Sequence, residues 1–103
     1  MDFANKVEQS EAIILLEKSD REFISLFKKE LLSVEIYKPN RIDKQTPHDR
    51  DEFYLIISGE GKFQLQEDIT AFKPGDFIYV PAHADHKFIE FSDNFITWVF
   101  FIG

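Results

Sequence analysis

The chain contains no cysteine. That excludes disulfides, a thiolate zinc site and a thiol nucleophile, and it leaves histidine and carboxylates as the only strong metal ligands. It also fits a reducing, cytoplasmic setting. Positive charge is in short supply: 12 Lys and Arg against 19 Asp and Glu give a formal net charge of -7. The mean field of such a surface repels phosphate-rich partners, so nucleic acid is not an expected ligand. Long apolar runs are missing. Ala12 to Leu16 is far too short to cross a bilayer, and the opening Met1-Asp2-Phe3-Ala4-Asn5-Lys6 has no cationic region leading into a secretory apolar core. No export and no membrane partner are expected. There is no Gly-x-Ser-x-Gly elbow, no phosphate-binding glycine loop and no dinucleotide fingerprint, which removes support for nucleophilic hydrolysis and nucleotide chemistry.

What the chain does have is aromatic mass. Twelve Phe, three Tyr and one Trp in 103 residues suit the pleated, half-buried surface of strands, and a hydrophobic share of 44% predicts a packed core. The length allows one domain, residues 1–103, because a second core could not close. Residues 1–21 read as an N-terminal extension in which Ser10 to Lys18 forms a short helix, with Ser10 as the capping hydroxyl. Strands follow at Phe23–Phe27, Leu31–Tyr37, Phe53–Ile57, Lys62–Gln66, Ile69–Phe72, Asp76–Val80, His86–Phe91 and Phe95–Ile102. Ser58-Gly59-Glu60-Gly61 and Pro74-Gly75 supply turns between them. Roughly eight or nine strands, spaced about ten residues apart, predict an all-β, antiparallel barrel or jelly roll that can hold one small ligand. The final strand, with Trp98 among adjacent apolar residues, reads as buried on both faces and suggests a homodimer.

All three histidines fall in two short segments, Thr46-Pro-His48-Asp-Arg-Asp-Glu52 and Pro81-Ala-His83-Ala-Asp-His86. On one straight strand His48 and Glu52 would stand about 13 Å apart, too far to share an ion, so they cooperate only if the chain reverses at Asp49-Arg50-Asp51. His48 would then end one strand and Glu52 begin its neighbour. A return strand starting near His86 brings a second imidazole to the same place. Two imidazoles and a carboxylate suit iron, manganese, nickel, cobalt or zinc, with coordination positions left open for water or substrate. The acids Asp49, Asp51, Glu52 and Asp85 lack the spaced oxygen donors of a calcium loop and read as solvated turn residues.

These segments resemble the two motifs of the cupins. Thr46-x-His48-x3-Glu52-x6-Gly59 is similar to the first and Gly75-x5-Pro81-x-His83-x2-His86-x3-Glu90 to the second, over residues 46–90. The resemblance implies a small single-domain cupin with one divalent metal ion, Fe, Mn, Ni, Co or Zn, held by His48, Glu52 and His86. It departs from the family pattern in three places. Thr46 stands where the first motif histidine belongs, His83 where the second motif has a glycine, and Glu90 where it has asparagine. Water, Gln45 or Asp51 is left to complete the ligand set, although strand parity puts both side chains opposite His48 unless the backbone is irregular. His83 sits at a turn position where positive φ is expected.

Cupin resemblance implies a small-molecule ligand and dioxygenase or isomerase chemistry on a small organic metabolite. Tyr54, His83 and Glu90 are the titratable candidates for acid–base catalysis. Tyr54 and Phe88 share strand parity with Glu52 and His86, and both read first as core. The alternatives are a non-catalytic module that binds a metabolite or sugar, and a structural or assembly barrel whose site is vestigial.

Overall fold

The computed structural model describes residues 5–103, so the first four residues of the N-terminal extension lie outside it. Helix α1 (Gln9–Ser19) precedes eight strands: β1 (Phe23–Lys29), β2 (Leu32–Tyr37), β3 (Asp51–Ser58), β4 (Gly61–Leu65), β5 (Asp68–Phe72), β6 (Phe77–Val80), β7 (His86–Phe91) and β8 (Ile96–Ile102). All pairings are antiparallel. One sheet has five strands in the order β1-β2-β8-β3-β6, the other three in the order β5-β4-β7. The architecture is a jelly roll of two facing sheets, not one continuously hydrogen-bonded barrel.

Alternation decides which side chains enter the space between the sheets. In β3, Glu52, Tyr54 and Ile56 are buried while their neighbours are partly exposed; in β8, Thr97, Val99 and Phe101 are the buried set. The interior is largely aromatic. Phe88 packs against Phe95, Phe63, Tyr54 and Phe72 with ring centroids 4.6 to 5.2 Å apart, in the tilted and edge-on arrangements that aromatic quadrupoles favour. This packing joins both sheets and forms the floor beneath the site.

Helix α1 covers the outer face of the large sheet. Ala12 and Leu16, one turn apart, are buried against Leu26 and Ile36, with Trp98, Ile24 and Ile96 packed around them. A register shift between Ser25 and Phe27 sets Leu26 out of step with the β1–β2 pairing. An 11-residue helix is marginal alone, so this docking is what holds it. The N-cap position is Glu8 and no side chain caps it, which displaces Ser10 from its expected role into the first turn. The helix stops at Asp20, which adopts a left-handed φ of 58° and returns its N–H to Glu17. Trp98 is covered by α1 of its own chain and needs no second subunit for its burial. No helix among the described residues is long and apolar enough to cross a membrane.

Two glycines at the turns are required for different reasons. Gly61 of β4 lies so close to the Glu90 carbonyl of β7 that a methyl group there would overlap it, whereas Gly75 has open space but a φ of 89°. Gly61→Ala is expected to cost about 3 kcal/mol through forced separation of β4 and β7, and Gly75→Ala about 1 kcal/mol through backbone strain alone. Urea unfolding midpoints check the order. A Gly75→Ala protein as destabilised as Gly61→Ala would contradict it.

Candidate metal centre

Three elements meet at one end of the sandwich. Glu52 is the second residue of β3 and pairs across the sheet with Phe101 of β8 and Val80 of β6, which fixes its inward direction. His86 is the first residue of β7, on the opposite sheet. His48 belongs to neither sheet. It lies in the irregular stretch between β2 and β3, with Asp49 and Arg50 forming a bend before β3 begins at Asp51. The expected reversal at Asp49-Arg50-Asp51 is thus present as a bend, but His48 does not end a strand.

The ligand atoms of the three side chains all lie within 4.8 Å of one another. Nε2 of His86 is 3.0 Å and Nε2 of His48 3.4 Å from Oε1 of Glu52. Atoms bound to one ion at about 2.0–2.2 Å stand about 3.0–3.5 Å from each other, so both separations fit shared coordination. Direction is equally informative. Both Glu52 oxygens and both Nε2 atoms are buried without a hydrogen-bond partner in spite of these short distances. Four buried polar atoms aimed at one point and unsatisfied by each other are costly unless a further group sits among them. The donor set of two imidazoles and one carboxylate fits a divalent ion.

The tautomer of His86 supports the same geometry. Its Nδ1 lies 3.0 Å from the Ala84 carbonyl. A carbonyl only accepts, so Nδ1 carries the hydrogen and Nε2 presents its lone pair to Glu52 and His48. Burial resists charging this ring, but the Glu52 carboxylate and the Ala84 carbonyl outweigh it and raise the His86 pKa above its ordinary value. His48 is shifted the other way. Burial dominates and lowers its pKa, aided by His86 and Arg50, against the pull of Glu52.

The two histidine segments are also tied together through the backbone. The N–H of His83 donates to the His48 carbonyl, and the N–H of Ala82 donates to Oδ1 of Asp51 at 2.9 Å. His83 adopts φ 73°, the positive value that its position in the motif anticipates. Its side chain is exposed, as is that of Glu90, which faces Lys62 at 3.9 Å. Neither joins the three-residue cluster. Tyr54 is fully buried beside it, with its ring 6.5 Å from that of His86. Burial, together with the Glu52 and Asp43 carboxylates, holds the Tyr54 hydroxyl protonated far above the ordinary tyrosine range.

Of three polar residues near the site, the sequence misplaces one, Gln45, and gives no sign of the other two. Gln45 was placed opposite His48 by strand parity, but residues 38–50 form no strand. Its Oε1 accepts the Tyr54 hydroxyl at 2.7 Å and its Nε2 donates to Asp43 at 2.8 Å. Asp43, 1% exposed, also accepts the Tyr37 hydroxyl at 2.8 Å, the Gln45 N–H at 3.0 Å and the Phe88 N–H at 2.9 Å. Glu35 of β2 is the third. It pairs with Val99 and shares a cavity of about 270 Å³ with His48, Glu52, Arg50 and Phe101. Burial raises its pKa, only partly offset by Arg50. Thr46 is exposed and does not line this cavity.

Comparison with known proteins points one way. The sequence profile of the cupin domain matches residues 33–101. An uncharacterized protein of Streptomyces coelicolor is 29% identical over 85 residues, covering 81% of each chain. Among solved structures, a cupin-2 domain containing protein from Shewanella frigidimarina aligns over 94% of each chain with a TM-score of 0.71 and 12% identity. A Ralstonia eutropha protein provisionally named mannose-6-phosphate isomerase aligns over 78% of this chain and 82% of its own, with a TM-score of 0.67 and 23% identity.

Asp43→Ala removes the acceptor for four donors from three parts of the chain. The expected loss is about 3–5 kcal/mol of folding stability, because the stranded hydroxyl and N–H groups stay buried. Chemical denaturation checks it, and a loss below about 1 kcal/mol would show that water satisfies these groups as well as the carboxylate does.

Proposed function

The chain belongs to the cupin family, and on that premise we propose that it is a metal-dependent enzyme acting on a small organic metabolite, with His48, Glu52 and His86 holding one divalent ion. The observation that carries this reading is the convergence of four buried, unpartnered donor atoms from three side chains. A bound divalent ion would supply Lewis acidity toward a carbonyl or enediol oxygen, or a binding place for dioxygen if the ion is redox-active.

The protein's own residues favour proton-transfer chemistry of the isomerase type over oxygen activation. Glu35 opens on the same cavity as the ligand cluster, and burial holds its proton to higher pH than an ordinary glutamate. A carboxyl so placed can give and take a proton at higher pH than an ordinary glutamate, which passive binding does not require. Tyr54 stays protonated and its hydroxyl is committed to Gln45, so it acts as a donor that fixes the cavity wall and not as a base. Phe101 and Val99 form the apolar side of the cavity.

Elemental analysis of native, untagged protein tests the first half of the reading. Near-stoichiometric Fe, Mn, Ni, Co or Zn is expected in the wild type and none in His86→Ala or His48→Ala. No metal after reconstitution would leave a metal-free binding or assembly fold. Glu35→Gln is expected to keep its metal and to lose about 10²–10⁴-fold in turnover once a substrate is found by solvent-deuterium exchange. A substrate bound without exchange in the wild type would indicate a binding module.

Acidification should weaken metal binding, and the order of the two imidazoles follows from their shifts. His86, raised above the usual histidine value of about 6.5, takes up its proton first as pH falls, and a metal ion must displace that proton. His48, held lower, competes only at more acid pH. Metal affinity measured by competition with a chelator is therefore expected to decline already above about pH 6.5, with proton release on binding. A flat affinity from pH 8 to pH 5 would contradict the ligand set.

A further inference from the structure

The cavity beside the ligand cluster contains a cation whose binding capacity the fold leaves largely unused. Arg50 stacks its guanidinium over Phe101, 4.5 Å from the ring centroid, and His48 packs edge-on to the same ring at 5.0 Å. All three side chains line the one cavity. Of the five N–H donors of Arg50, one is engaged, by the Ser33 hydroxyl at 3.3 Å. Among the described residues Arg50 forms no ion pair. A second guanidinium, that of Arg21, lies 5.1 Å from the ring centroid of Phe23, another lining residue.

Charge in the cavity points to the sign of its occupant. A divalent ion held by one carboxylate and two neutral imidazoles leaves a net positive charge, to which Arg50 adds another. Beyond the ligand cluster itself, Glu35 is the one lining carboxyl that opposes them. A neutral sugar would leave the Arg50 fork unpaired in a partly desolvated place, whereas a carboxylate matches it in charge and planar geometry. The volume of about 270 Å³ is below the range of drug-sized sites and suits a metabolite of few carbons.

Resting on the metal-centre reading above, we propose that the substrate is a small hydroxy- or oxo-carboxylic acid whose carboxylate is bound by Arg50 and whose second oxygen is directed at the His48, Glu52 and His86 cluster. Arg50 is then a specificity-determining residue. It selects acids over their neutral analogues without contributing a metal ligand.

Cobalt(II)-loaded protein gives a readout independent of turnover, because ligands near the ion alter its visible absorption. The probes are hydroxy acids of two to five carbons, each paired with its methyl ester. In the wild type at least one acid is expected to bind about tenfold or more tightly than its ester. Arg50→Gln should stay folded and keep its cobalt but lose most of that preference for the acid, the remainder being the ion's own attraction for a carboxylate, and Arg50→Lys should restore part of it. Two outcomes overturn the proposal separately from one another. Wild-type protein that takes up no cobalt overturns the metal centre and this inference with it. Cobalt-loaded protein that binds acids no better than esters, or keeps its preference undiminished in Arg50→Gln, overturns the carboxylate assignment and leaves the metal centre standing.

Discussion

Burial of the Asp43 carboxylate is the constraint on which the site depends. A charge taken out of water is tolerated only when every lone pair is used, and here the carboxylate accepts from Tyr37 of β2, from Phe88 of β7 and twice from Gln45. Those partners lie on both sheets and on the irregular segment between β2 and β3. The segment is thereby held against the open edge of the small sheet, where the Phe88 N–H has no strand to pair with. His48 rides on that segment, five residues farther along. Its place opposite Glu52 and His86 is set by the anchorage of residues 43–45 and by the His83 N–H on its own carbonyl, not by a sheet ladder.

This explains which parts of the protein its sequence disclosed. The strands were legible because aromatic and branched residues alternate between punctuating glycines and prolines, and His86 was legible as the head of such a strand. Glu52 was legible for the same reason, as an acid sharing parity with Tyr54 and Ile56. The reading of Gln45 failed because it applied period-two parity to a stretch that is not a strand. Glu35 was hidden by a different effect. In Ser33-Val34-Glu35-Ile36-Tyr37 the apolar Val34 and Ile36 suggest the inner face, yet α1 covers the outer face of this sheet, so the apolar set faces the helix and the polar set faces the cavity. A sheet covered on both sides gives alternation without saying which face is which. Asp43 carries no local signal at all, since its role appears only when β2, β7 and the segment are assembled.

The overall charge of -7 and the character of the cavity are likewise separate facts. Net charge governs long-range encounter and disfavours polyanions, and that inference concerns the surface. Inside, the balance is set at a few ångströms by Arg50, Glu35 and the ligand cluster, where screening by water is weak. With an ion bound at the cluster, an acidic protein would therefore present a cationic pocket. The dimerisation expected from the last strand loses Trp98 as its motive, since α1 covers that residue. The outer face beyond the helix still carries Phe77, 63% exposed and tilted against Phe53, whose ring also stacks with Tyr79.

Glu52 and His86 come from opposite sheets, and this has a thermodynamic corollary. Anything bound between them spans the sandwich, so occupancy and the closeness of the two sheets are linked variables: each favours the other by the same free energy. Loosening the aromatic interior at Phe95 or Phe72, far along the strands from any ligand, then weakens retention at the centre. The phenylalanines that gave the chain its composition serve in this sense as the spring that keeps its jaws shut.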